Sequence, residues 1–158
     1  MDLPLEEPPV SFGPWTPWSE RASLRRSDGP WVGLYIWGQF ERTPSSTERA
    51  YPDLPRQVAY IGETKHLDDR PLRGPHHRTR HYRDTFKTDP ELGQLFVSIA
   101  RVRAFPGGYE AANAADYQCV RVFTRYLEAR IYWEYTKKWG YPPALHYKAP
   151  RQARSVTP

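Results

Sequence analysis

Apolar residues first fall into a regular pattern at Trp31-Val32-Gly33-Leu34-Tyr35-Ile36-Trp37, a β-branched and aromatic run that predicts a strand. Gln57 to Gly62 predicts a second strand, and Leu95-Phe96-Val97-Ser98-Ile99-Ala100 a third, with Leu95, Val97 and Ile99 in alternation. The period then lengthens. From about Ala112 to Trp139, Val120, Phe123, Leu127, Ile131 and Tyr135 recur at spacings of three and four, the signature of a helix buried along one stripe. Gly140 and Pro142-Pro143 end it. Leu67 to Leu72 and Thr79 to Phe86 each predict a short helix, broken at Gly74-Pro75. Pro44, Ser45, Ser46, Pro52 and Pro55 make Gly38 to Arg56 a long loop rather than a tight turn. The pattern predicts an α/β (α+β) fold, with a small three-stranded mixed or antiparallel central sheet flanked by helices.

Outside these elements no period is sustained. Residues 1–30 hold Pro4, Pro8, Pro9, Pro14, Pro17 and Pro30 with Trp15 and Trp18, which predicts an extended N-terminal arm anchored by its tryptophans. Residues 31–148 form the domain, and residues 149–158 a flexible tail. At 158 residues the chain suits one domain with its own core.

Charge narrows the range of partners. The formal net charge is +5, which favours polyanions. Lysine occurs only at Lys65, Lys87, Lys137, Lys138 and Lys148, so arginine carries most of the positive charge. Its planar fork suits bidentate phosphate contacts, although a G- and C-rich genome would produce the same bias. Cys119 is the only cysteine, which excludes an intrachain disulfide or a thiolate metal cluster and fits a reducing compartment. The first residues lack a signal-peptide pattern, and no apolar run is long enough to span a bilayer. A soluble, cytoplasmic protein with no membrane partner is expected.

Strand phase brings two phenols together. Alternation sends Val32, Leu34 and Ile36 to one face and Gly33, Tyr35 and Trp37 to the other; in the second strand Ala59 and Ile61 oppose Val58, Tyr60 and Gly62. If the aliphatic residues share a side, Tyr35 and Tyr60 share the other, lining a shallow surface pocket that Gly33 and Gly62 leave open. The plainer alternative is that both tyrosines pack a second layer. Arg70 opens a basic stretch containing Arg73, His76, His77, Arg78, Arg80, His81 and Arg83. That stretch is either a solvated surface helix or a phosphate clamp. The histidines lie too close together, with too few partner ligands, to argue for zinc. On the long helix, Glu134 has Lys138 four residues on as an ordinary partner, whereas Glu128 has Tyr132 there and only Arg125 at the preceding turn.

Gly33-Leu34-Tyr35 and Tyr60-Ile61-Gly62, each on a strand, together resemble the two halves of the GIY-YIG nuclease signature. Arg70 ten residues after Tyr60 and a glutamate on a late helix before Pro142-Pro143 extend the resemblance over about Trp31 to Tyr147. It implies a small antiparallel sheet flanked by helices and a divalent-metal-dependent nuclease. Tyr35 and Tyr60 match the signature tyrosines, Arg70 the catalytic arginine, and Glu128 the glutamate that holds one Mg²⁺ or Mn²⁺ per active site. The pattern also departs in places. The two tyrosines stand 25 residues apart, a long separation, and Glu63 stands where many members carry lysine, with Lys65 two residues on. Gly74 occupies the place of the usual histidine or tyrosine, leaving His76, His77 or His81 to substitute, or the register to shift to Arg73 with His77. The asparagine often found near the family's C-terminal end is missing, and His146 stands in the corresponding neighbourhood.

The chemistry implied is phosphodiester hydrolysis by water. A tyrosine acts as general base, either Tyr35 or Tyr60, the arginine stabilises the phosphate, and the metal polarises it. Arg73, Arg78, Arg80 and Arg83 would bind DNA. A standalone endonuclease for double-stranded DNA, of restriction or mobile-element type, is the expectation, and cutting both strands suits a homodimer. The competing readings are a catalytically silent nucleic-acid-binding module, and an interaction protein that docks through its aromatic arm.

Overall fold

Residues 10–69, 72, 94–110 and 112–144 are described in the computed structural model. Four strands form one antiparallel sheet: β1 (Thr16–Pro17), β2 (Trp31–Phe40), β3 (Val58–Thr64) and β4 (Gln94–Ala104), in the order β1-β4-β2-β3. The sequence pattern foresees three of them. The fourth, β1, comes from the arm, where Thr16 and Pro17 pair with Val97 and Phe96. A period-two pattern cannot announce a two-residue strand whose only partner is 80 positions away. β2 also runs three residues past its predicted end, because Gly38, Gln39 and Phe40 keep pairing with Phe96, Leu95 and Gln94. Tertiary pairing overrides the weak strand preference of glycine there.

One helix, α1 (Ala114–Trp139), covers one face of the sheet. The Asn113 side chain caps its start by accepting from the Ala115 amide at 3.0 Å. Gly140, at φ 80°, ends it in the left-handed conformation, with its N–H on the Thr136 carbonyl at 2.8 Å. Leu127, Ile131 and Tyr135 pack on Leu34 and Ile36 of β2, Ile61 of β3, and Phe96 and Ala100 of β4. Phe12 and Trp15 from the arm join the same cluster, and Ser98 Oγ donates to the Gly13 carbonyl at 2.7 Å. The chain then crosses the sheet at the β4 edge. A 3₁₀ helix, Trp18–Leu24, contributes Trp18 and Leu24 to the opposite face, and the Trp18 and Trp37 rings meet edge-on at 5.4 Å. The arm is therefore part of the packed structure from Phe12 onward.

A bulge corrects the expected phase of β3. Trp37 pairs with Tyr60 but Gly38 pairs with Val58, so Ala59 is an extra residue. Val58 consequently packs with Ile61 on the helix face, while Ala59 packs with Tyr35 and Trp37 on the other. Strict alternation places these two residues the other way round. From Tyr60 to Thr64 the phase holds. Among the described residues no helix is long and apolar enough to cross a membrane.

Candidate functional site

Tyr35 and Tyr60 do share a face. Tyr35 pairs across β2 and β3 with Gly62, two residue pairs along from the Trp37–Tyr60 pair, so the two phenols are diagonal neighbours. Their ring centroids lie 5.8 Å apart with planes inclined by 29°. Gly62 makes this possible, because a Cβ there would stand 2.5 Å from Tyr35 Cζ and 2.7 Å from its hydroxyl. The expected open surface is not what surrounds them. Tyr35 is only 3% exposed, packed with Trp37, Leu67, Leu72, Val97 and Ile99 in a second apolar layer, and Tyr60 is half-buried. The space foreseen beside Gly62 is filled by the Tyr35 ring.

Glu128 belongs to the other layer. It projects from α1, which packs against the opposite side of the sheet, and meets the structure at the free edge of β3. There burial pushes its carboxyl above the ordinary glutamate range, and the nearby Glu63 carboxylate pushes the same way. A hydrogen bond from the Glu63 backbone, together with Arg121 and Arg125, opposes the shift. β3 thus carries Tyr60 on one face and Glu63 on the other, and Glu128 stands beside Glu63. The helix side of the edge is a network of charges. Arg121 grips both oxygens of Glu63, one of them from Nη2 at 3.0 Å, and Arg125 Nε lies 3.8 Å from Glu63 Oε1.

Other expected pairings changed hands. Glu134 bonds to Arg130 at 3.0 Å, and Lys138 instead donates to the Asp53 carbonyl. Lys65, just past β3, is exposed, with its ammonium 5.9 Å from the Tyr109 ring centroid. His66 also meets that ring, edge-on at 4.9 Å. Desolvation raises the Tyr109 phenol to about 12, and its buried hydroxyl has no hydrogen-bond partner among the described residues. Arg70, Arg73, His76, His77, Arg78, Arg80, His81, Arg83 and His146 lie outside the described residues, as do the predicted helix at 79–86 and the tail at 149–158.

The Glu63–Arg121 clasp was missed in the sequence. Its signal was present: Arg121, Arg125 and Glu128 sit at i, i+4 and i+7, a polar stripe bordering the buried one. Glu63, on the strand this stripe faces, is the acid that pairs with it. The donors suit a hard cation. Among the described residues no three His, Cys, Asp or Glu side chains converge, and Glu63 is committed to Arg121, so Glu128 is the carboxylate that could hold a cation there. A single carboxylate fits Mg²⁺, which keeps several water ligands, and a cation there would offset the Glu63–Glu128 repulsion.

A separate cavity of about 790 Å³ opens at the far end of the β2–β3 pair, lined among others by Arg42, Arg56, Gln57 and Tyr141. No family model matches this chain, and no curated protein or solved structure matches it either.

Proposed function

We propose that the chain is a metal-dependent endonuclease of double-stranded DNA, of the kind its GIY-YIG-like residues imply. The observation that carries this reading is the stacked pair Tyr35 and Tyr60, seated over Gly62 on the strand whose free edge also receives Glu128. In this reading Tyr60, the more accessible phenol, orients the attacking water and takes its proton, and the buried Tyr35 fixes the Tyr60 ring. Glu128 holds one Mg²⁺ or Mn²⁺, which when bound supplies Lewis-acid polarisation of the scissile phosphate. Arg70, or Arg73 with His77, steadies the non-bridging oxygens, and Arg73, Arg78, Arg80 and Arg83 contact the flanking backbone.

The test is a plasmid assay. Purified full-length protein with supercoiled DNA and Mg²⁺ should produce nicked and linear product; chelator, Glu128→Ala and Tyr60→Phe should each stop it. Cutting that survives Glu128→Ala removes Glu128 from the mechanism. If neither Mg²⁺ nor Mn²⁺ supports cutting but DNA is bound with an affinity that falls steeply with salt, the chain is a binding module. Affinity indifferent to salt would leave only the protein-interaction reading.

A further inference from the structure

α1 is apolar on two sides. Thr124, Leu127, Ile131 and Tyr135 are its buried residues. Diametrically opposite, at 100° per residue, run Ala115, Cys119, Val122, Tyr126, Ala129 and Trp133, spaced four, three, four, three and four residues apart. All six face solvent: Val122 and Trp133 are each 66% exposed and Tyr126 is 49% exposed, and Cys119, Ala115 and Ala129 are exposed too. Alternating spacings of three and four keep these side chains on one side of the helix, the arrangement of a coiled-coil seam. A lone exposed tryptophan is unremarkable, but a continuous apolar line over five turns is a contact surface.

We propose that this outer stripe of α1 is a self-association surface, on which α1 of a second copy of the chain packs antiparallel. Size and charge both select that partner and orientation. In an antiparallel pair each core layer joins one position of each kind, so Tyr126 meets the partner's Ala129, and Trp133 meets the partner's Val122. In these layers the larger side chain falls against the smaller one. At the flanks, Asp116, whose Oδ1 also accepts from Arg103 of its own chain at 2.8 Å, lies near the start of one helix and faces the partner's Lys137 near the end of the other, and this occurs twice by symmetry. The helix dipoles also oppose. A parallel pair would stack Trp133 on Trp133 and bring Arg125 against the partner's Arg130, a like-charge contact made twice. The stripe lies on the outside of the helix layer, so two copies can meet through it without disturbing either sheet. This inference does not depend on the nuclease reading.

Analytical ultracentrifugation of the full chain tests it. The native protein should sediment with the mass of two chains, and Trp133→Glu or Tyr126→Glu with the mass of one, at unchanged far-ultraviolet circular dichroism. A short thiol-specific linker should join Tyr126→Cys to Ala129→Cys chains, both carrying Cys119→Ser, when they are mixed, and should join native chains through Cys119 far more slowly. Rapid Cys119 linkage would mean a parallel pair and overturn the orientation. A native protein that stays monomeric, a dimer that survives Trp133→Glu, or a monomer that dimerises only when residues 145–158 are removed would each overturn the proposal, the last by making the chain's own end the occupant.

Discussion

The Tyr35 ring lies so close over Gly62 that a methyl group on that α-carbon would stand 2.5 Å from Tyr35 Cζ. Glycine is therefore required by the ring above it. Gly62→Ala should cost about 1–3 kcal/mol through overpacking, read as a lower denaturant midpoint, and should impair plasmid cutting by displacing Tyr35 from Tyr60. In a Tyr35→Leu background the same substitution should cost less, since the clashing ring is gone. Equal costs in both backgrounds would show that the ring is not the cause.

Glu128 is expected to trade stability for function. Its folded pKa is raised by burial and by Glu63. At pH below the ordinary glutamate value of 4.5, both folded and unfolded states hold the proton and there is no penalty. As pH climbs from there through the raised folded value, the unfolded chain ionises first, and stability falls until the folded carboxyl is charged as well. Glu128→Gln should lack that decline and melt at a higher temperature at neutral pH, while losing Mg²⁺-dependent cutting. Mg²⁺ should raise the melting temperature of the native chain and not of the Gln variant. The same metal-induced shift in both would place the ion elsewhere.

Arg121 and Glu63 are 12% and 14% exposed at their side chains, so neither charge is well solvated without the other. Arg121→Met should destabilise by about 1.5–3 kcal/mol, because it leaves a nearly buried carboxylate with only the more distant Arg125 beside it. Adding Glu63→Gln should restore much of the loss. A thermal melt of the single and double variants gives the answer, and a double variant no better than the single would show that Arg121 acts by packing alone.

Phe12, 1% exposed, ties the arm to the helix face. Phe12→Ala should cost about 3–5 kcal/mol, comparable to loss of a central core residue, whereas an ornamental arm would lose almost nothing. Urea denaturation distinguishes the two.

What was legible in the sequence was whatever repeats locally. The α1 bounds followed from Leu127, Ile131 and Tyr135 together with Gly140, and the shared face of Tyr35 and Tyr60 followed from alternation across two strands. What escaped depended on distant partners. No local period marks Thr16 and Pro17 as a strand, because their hydrogen bonds are made by β4. Ala59 and Val58 exchange faces because of a bulge, which is set by the register of β2 rather than by either residue. Glu63 reads as a mere departure from a signature until Arg121, 58 positions later, closes on it. Burial of Tyr35 was one of two readings that alternation left open, and it is decided by Leu67 and Leu72, which reach Tyr35 from beyond β3.

The strand order also fixes a sequence of events in time. β2 can pair with β3 across a short stretch of chain, but β1 has nothing to join until β4 has been made, some 80 residues later. Contacts that close long loops form late. Residues 12–17, made well before β4, thus wait longest for their place, and the amide of Gly13, bonded to Ile99, should gain protection from solvent exchange only after that of Gln39, bonded to Gln57.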